Sequence, residues 1–169
     1  MNILTGIHRA DAGTIMVDGK EVTFKNNKDA EEHGIAFIHQ ELNIWPNLSV
    51  LENLFLMNQP KTRFGTIDFK KMREMAEAKC QEIGIDLPLD EIAGECSVGQ
   101  QQMTEITRSL MLDAKTVIMD EPTAALTERE TDRLFEVMKK LKNKGVSIIY
   151  ISHRMEEVFA NCDTITVMR

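Results

Sequence analysis

The sequence predicts an α/β fold with a mainly helical block set into it, and three observations carry that prediction. Short apolar runs at Ile35–Ile38, Thr116–Met119 and Val146–Ile151 have no polar face and are too short for helices, so they read as buried strands. Between the first two of these runs, from 46 to 112, the apolar residues recur at helical spacing instead. Capping signals, Ser49 with Glu52 and Thr127 with Glu130, mark helix starts on both sides of that change.

Taken in order, Met1-Asn2-Ile3-Leu4-Thr5-Gly6-Ile7 reads as the end of a helix, because Ile3, Leu4 and Ile7 share one face. Gly13 marks a turn, Thr14–Val17 a strand, and Asp18-Gly19 a hairpin leading into a second strand, Glu21–Phe24. Asn27 is placed to cap a short helix that ends at Gly34. His39, Gln40 and Glu41 then hang off the end of strand 35–38. After Pro46, Ser49 opens a helix carrying Leu54 and Phe55, and a loop with Pro60 and Gly65 follows. Asp68 caps a helix whose face is Phe69, Met72, Ala76, Cys80 and Ile83, and Gly84 closes it. Ser97 caps the next, with Met103, Ile106 and Leu110 at helical spacing. Beyond Thr116 the order is strand, helix (Leu134, Met138 and Leu141 buried, Gly145 at its end), strand 146–151, a short helix, and an alternating strand Thr164–Met168.

The 169 residues suit one domain with a sizeable core, and 43% hydrophobic with 28% charged residues is ordinary for a globular protein. A net charge of −7, with no Lys/Arg cluster to offset it, argues against a nucleic-acid-binding surface. No apolar run reaches the length of a membrane span and no signal-peptide pattern opens the chain, so a membrane role would come through a partner. Cys80, Cys96 and Cys162 are odd in number and far apart, which reads as reduced, mostly buried thiols.

Chemistry concentrates at two places. Asp120 and Glu121 stand side by side at the carboxyl end of strand 116–119, with Pro122 stopping the strand. Ligands bind at that edge of open α/β sheets, and two acids there suit a metal–phosphate site; alone they read equally well as two solvated acids at a strand end. The second place is the helix start at Ser97 and Gly99, where a small hydroxyl, a glycine and free N–H groups can hold phosphate oxygens.

Ser97-Val98-Gly99-Gln100-Gln101-Gln102, followed at this distance by Met119-Asp120-Glu121-Pro122-Thr123, resembles the signature and Walker B motifs of ABC transporter ATPases. The triple Gln and the continuation Ala124-Ala125-Leu126-Thr127-Glu128 are similar to the first ATPase half of bacterial monosaccharide importers of the ribose, galactose and xylose types. Cys96 stands where the family usually has leucine, and Val98 where glycine is common. The resemblance runs across all 169 residues. It implies a P-loop NTPase-like core, 1–45 and 113–169, interrupted by a helical signature subdomain, 46–112. It further implies ATP and Mg²⁺ as ligands, membrane-spanning permease subunits and a second ATPase domain in a head-to-tail dimer as partners, and a cytoplasmic place at the inner face of the plasma membrane.

By the same resemblance Asp120 positions the metal and Glu121 acts as general base on, or orients, the attacking water. Gln40 matches the glutamine whose amide oxygen completes Mg²⁺ coordination. His153, just past strand 146–151, matches the histidine that contacts the γ-phosphate. Ser97, Gly99 and Gln100 match the residues that reach the ATP of the opposite subunit. One part of the family pattern has no counterpart in these residues: no G-x-x-x-x-G-K-[ST] run occurs, and Gly13 to Lys20 reads as a hairpin. Met1–Gly6 matches the helix directly after that loop, so the chain is expected to be a core truncated before it, with no turnover of its own. The alternative is a non-hydrolytic module that donates its signature to a partner ATPase.

Overall fold

The computed structural model describes residues 1–40, 42–112 and 114–168; Glu41, Asp113 and Arg169, which the sequence reading used as a strand-end residue, a boundary and the terminus, lie outside the described residues. Its centre is a parallel sheet of β3 (Ile35–Ile38), β4 (Thr116–Asp120) and β5 (Ser147–Ile151), in the order β3-β4-β5. The register sets Ile35 beside Thr116 and Thr116 beside Ser147, so the three carboxyl ends finish together. A separate antiparallel hairpin, β1 (Ile15–Val17) and β2 (Lys20–Val22), turns through Asp18 and Gly19. Both turn residues have positive φ, 50° and 74°, as a tight two-residue hairpin turn requires.

The alternation along the strands explains why each of these runs needs an apolar layer on both faces. Ala36, Ile38, Val117, Met119, Ile148 and Tyr150 join one apolar cluster. Ile35, Phe37, Ile118, Ile149 and Ile151 join another, with Phe24, Ala30 and the hairpin residues Ile15, Val17 and Val22. The first face is covered by α2 (Val50–Leu54), α3 (Phe69–Ile83), α4 (Val98–Met111) and α5 (Glu128–Asn143); α1 (Asn27–Glu32) belongs to the second. α6 (Met155–Asn161) follows β5.

Helices α1 to α5 each start where cap chemistry dictates. Ser49 and Glu52 form the expected capping box on α2, and Thr127 and Glu130 the one on α5. Asp68 accepts the Lys71 N–H at the head of α3, whose buried stripe is Met72, Ala76, Cys80 and Ile83, and Gly84 ends it in the left-handed region. Phe69, expected on that stripe, is instead half exposed at the first turn. The cap of α1 is Asn26, not Asn27: the Asn26 side chain accepts from Asp29 N–H at 3.0 Å. Two adjacent asparagines make that choice invisible in the sequence.

Two expected elements do not form. Residues 1–7 are a run of turns in which Ile7 and His8 N–H both donate to Asn2 O, at 2.9 and 3.0 Å. Gly6 sits at φ 73°, and a Cβ there would collide with the Asn26 carbonyl, so the backbone is pressed against the α1 cap and does not continue as a helix. Thr164–Met168 has no ladder among the described residues, and Val167 and Met168 point into solvent. Alternation alone cannot make a strand without a neighbour to pair with. The second hairpin strand also stops earlier than expected, at Val22, while Phe24 is buried beyond it.

Between β3 and α2 the chain is tied down by Asn53, which is fully buried. Its Oδ1 accepts Trp45 N–H at 2.9 Å and its Nδ2 donates to Trp45 O and Ser49 O, both at 3.0 Å. Asn53→Leu keeps the volume but strands those backbone groups. The expected cost is about 2–4 kcal/mol, read as a lower urea midpoint with unchanged slope.

Candidate functional site

β4 ends in Asp120, and the next residue, Glu121, adopts φ 46°, a left-handed conformation rare for a side chain of its kind. Its N–H donates to Ile151 O at 2.9 Å, so the turn after β4 is fastened to the end of β5. This strained turn swings the Glu121 carboxylate across the strand ends. Oε1 meets His153 Nδ1 at 2.9 Å, and Oε2 accepts from Gln40 Nε2 at a long 3.5 Å. Three side chains from the ends of three adjacent strands therefore converge. The His153 side chain remains 73% exposed and Glu121 28%, which leaves the imidazole open to a ligand while the carboxylate is held.

Asp120 is half-buried one residue before, at the same edge. Among the described residues no three His, Cys, Asp or Glu side chains group to enclose a metal ion. Mg²⁺ keeps several waters and takes substrate phosphate oxygens, so one carboxylate and one amide oxygen are a sufficient protein share. Gln40 turns its amide nitrogen toward Glu121, which leaves the oxygen outside that contact. The donors present fit Mg²⁺.

The second group lies at the start of α4. Ser97 Oγ accepts Gln100 N–H at 3.2 Å, and Gln100 Oε1 accepts Ser97 N–H at 2.8 Å, a capping box closed by glutamine. Ser97 Oγ also donates to Glu130 Oε1 at 3.3 Å. The same carboxylate closes the α5 box through Oε2, accepting Thr127 N–H at 3.0 Å and its hydroxyl at 2.8 Å. The Thr127 N–H first, then the Thr127 hydroxyl, hold the Glu130 carboxyl below its ordinary range, with Ser97 and Gly99 N–H adding to them. A Cβ on Gly99 would run into that carboxylate. The α4 start thus already holds an oxyanion, one of the chain's own, as its unpaired N–H groups favour. Beside it opens a cavity of about 350 Å³ lined by Ser97, Gly99, Gln100, Met103 and Arg133.

Ser97, Gly99 and Gln100 share no hydrogen bond with Gln40, Asp120, Glu121 or His153 among the described residues. The structure brings together the strand-end residues and, separately, the helix-start residues.

Three acids organise these places: sequence reasoning reads Glu130 only as the capping partner of Thr127 and passes over the other two. Glu130 bridges α5 to the α4 start, as above. Glu105, on α4 and almost fully buried, accepts Asn43 N–H at 3.3 Å, while Arg108 donates to Asn43 O at 2.8 Å. Together they grip the main chain three residues past Gln40. Burial pushes the Glu105 carboxyl up, against the Asn43 N–H and Arg108, and pushes the Arg108 guanidinium down. The available signal was a charged residue one position from Ile106, inside the buried run of α4. Glu157, on α6, is the third. The only sequence signal was an acid four residues after His153, in the short helix that follows β5.

The comparisons with known proteins agree with one another. The ABC transporter family profile matches residues 1–124. The ribose import ATP-binding proteins RbsA of Bacillus licheniformis and Bacillus subtilis are each 59% identical to the chain over 169 residues. That of Lactococcus lactis subsp. lactis is 57% identical. Each alignment covers 100% of this chain and 34% of the relative, so the chain spans about a third of the length of the curated relatives it matches. A nucleotide-free ATP-binding cassette from an ABC transporter superposes with a TM-score of 0.79 at 29% identity, over 96% of this chain and 68% of that one. The ADP conformation of the cassette MJ1267 gives 0.77 at 27% identity, over 96% and 67%.

Proposed function

The chain belongs to the ABC transporter family, and from that premise we propose that it is part of the ATP-hydrolysing subunit of an importer that energises uptake of a sugar of the ribose class. The observation that carries the reading is the convergence of Gln40, Glu121 and His153 at the carboxyl ends of β3, β4 and β5. The names of the RbsA relatives supply the substrate class.

In this reading Glu121 orients and deprotonates the water that attacks the γ-phosphate, its strained turn fixing the direction of the carboxylate. His153, held through Nδ1–H by Glu121, faces the γ-phosphate oxygens with Nε2 and donates to them when both ring nitrogens carry hydrogen. Asp120 and the Gln40 amide oxygen would hold Mg²⁺, which when bound neutralises charge on the β- and γ-phosphates. Ser97, Gly99 and Gln100 serve a different nucleotide, that of a second ATPase domain packed head to tail, and the α4 start now bonded to the Glu130 carboxylate, at the wall of the adjoining cavity, is where that phosphate is received. The helical residues 46–112 face the permease subunits. No described helix is long and apolar enough to cross a membrane.

The test is transport itself. The full-length gene product, reconstituted with its permease subunits in liposomes, should accumulate labelled ribose only with Mg-ATP present; accumulation without ATP, or none with it, would contradict the reading.

Within residues 1–169 no G-x-x-x-x-G-K-[ST] run supplies the backbone cradle and lysine for the β- and γ-phosphates. The 169-residue chain alone is therefore expected to show no ATP turnover and at most weak binding. Tight Mg-ATP binding by calorimetric titration would overturn that expectation.

A further inference from the structure

One buried carboxylate gathers partners from the two turns that carry Glu121 and His153. Glu157 on α6 is only 8% exposed. Its Oε2 accepts Tyr150 OH at 2.5 Å, Thr123 Oγ1 at 2.9 Å and, weakly, Ser152 Oγ at 3.5 Å. Its Oε1 makes an ionic contact of 2.5 Å with Arg154 Nη1, without the alignment of a hydrogen bond. Thr123 lies two residues past Glu121 in the turn after β4. Ser152 and Arg154 flank His153 in the turn after β5, and Tyr150 is in β5 itself.

A carboxylate taken out of water needs several donors, and such a network holds one geometry or loses most of its stabilisation. Here the donors come from both turns at once. Burial, and the Glu157 carboxylate next, raise the Tyr150 hydroxyl well above its ordinary range, so it stays a donor at any working pH. Phe135 packs edge-on against the same ring. Apart from this network, the turn after β4 is fastened to the end of β5 by the Glu121 N–H to Ile151 O bond.

We propose that Glu157 is a positioning residue for ATP hydrolysis: it locks the turn bearing Glu121 to the turn bearing His153 and so sets the His153–Glu121 contact. This rests on the reading of Glu121 and His153 given above. Its distinguishing feature is that Glu157 is buried and bonded to the two turns themselves, so its removal should spare ATP affinity and disturb turnover and the state of the His153 ring.

The experiment compares Glu157→Ala, Glu157→Gln and Thr123→Val in the full-length gene product, with Glu121→Gln and His153→Ala alongside. Glu157→Ala should lower kcat about tenfold or more with KM for ATP within about twofold, and should displace the His153 ring signals in spectra of the ¹⁵N-histidine-labelled protein. Glu157→Gln keeps the volume and an acceptor and should recover part of both. Thr123→Val, close in volume and missing one donor, should shift the same signals with a few-fold loss of kcat. A loss of folding alone would not move the ring signals of the folded fraction. If Glu121→Gln and His153→Ala abolish turnover while the folded Glu157 and Thr123 variants keep native kcat and unmoved His153 signals, the proposal is wrong and the site reading stands. If Glu121→Gln and His153→Ala leave turnover intact, the site reading itself fails.

Discussion

Glu121→Gln in the full-length protein should lower kcat for ATP by about 10³-fold while leaving nucleotide binding in place. General-base and water-orienting groups contribute in that range, and glutamine keeps the shape but not the basicity. The contact with His153 Nδ1 at 2.9 Å can persist, because an amide oxygen still accepts a hydrogen bond. Asp120→Asn should behave differently. It removes the charge at the place proposed for Mg²⁺, so Mg²⁺-dependent ATP affinity should fall along with turnover. Equal loss of binding in both variants would show that the two adjacent carboxylates are assigned the wrong way.

The second large effect is expected in solution behaviour. Among the described residues β5 pairs only with β4, so its other side presents unpaired N–H and C=O groups. Its side chains are apolar toward both layers, Ile148 and Tyr150 into one cluster, Ile149 and Ile151 into the other. It carries no charge and no proline, the two devices that keep an edge from pairing. The 169-residue chain by itself should therefore self-associate, with residues 146–151 either paired to a second copy or frayed. Size-exclusion chromatography combined with hydrogen exchange on the peptide covering 146–151 checks this. A clean monomer with strong protection across that peptide would contradict it.

How far the sequence announced all this depends on the range of the interactions involved. Strands 35–38 and 116–119 are legible because a short apolar run with no polar face needs an apolar layer on both of its faces. The capping boxes at Ser49 and Thr127 are legible because cap and N3 partner sit three residues apart, and Ser97 is legible as a cap, its box with Gln100 being visible only in the structure. Gln40, Glu121 and His153 each stand out as polar residues just past such runs. Their mutual contact is not written locally: it follows from the parallel register of β3, β4 and β5 and from the left-handed turn at Glu121, which no residue preference announces. Glu157 and Glu105 were missed for the same reason, since an acid on a helix reads as solvated until the packing shows what it faces. The opposite error, at residues 1–7 and 164–168, came from local pattern without tertiary support. A face of three apolar residues and an alternating run both need a neighbour, and there the close approach of Gly6 to Asn26 and the lack of a ladder among the described residues decided otherwise.

The account's central claim is that the strand-end residues act on one ATP and the α4 start on another. A structure of the full-length Glu121→Gln protein with Mg-ATP bound tests it most directly. The claim predicts Mg²⁺ on Asp120 and Gln40, His153 Nε2 within hydrogen-bond reach of the γ-phosphate, and Ser97 and Gly99 N–H on the phosphate held by another ATPase domain, with Glu130 displaced from them. Ser97 and His153 bound to the same nucleotide within one chain, or a terminal phosphate out of reach of His153, would contradict it.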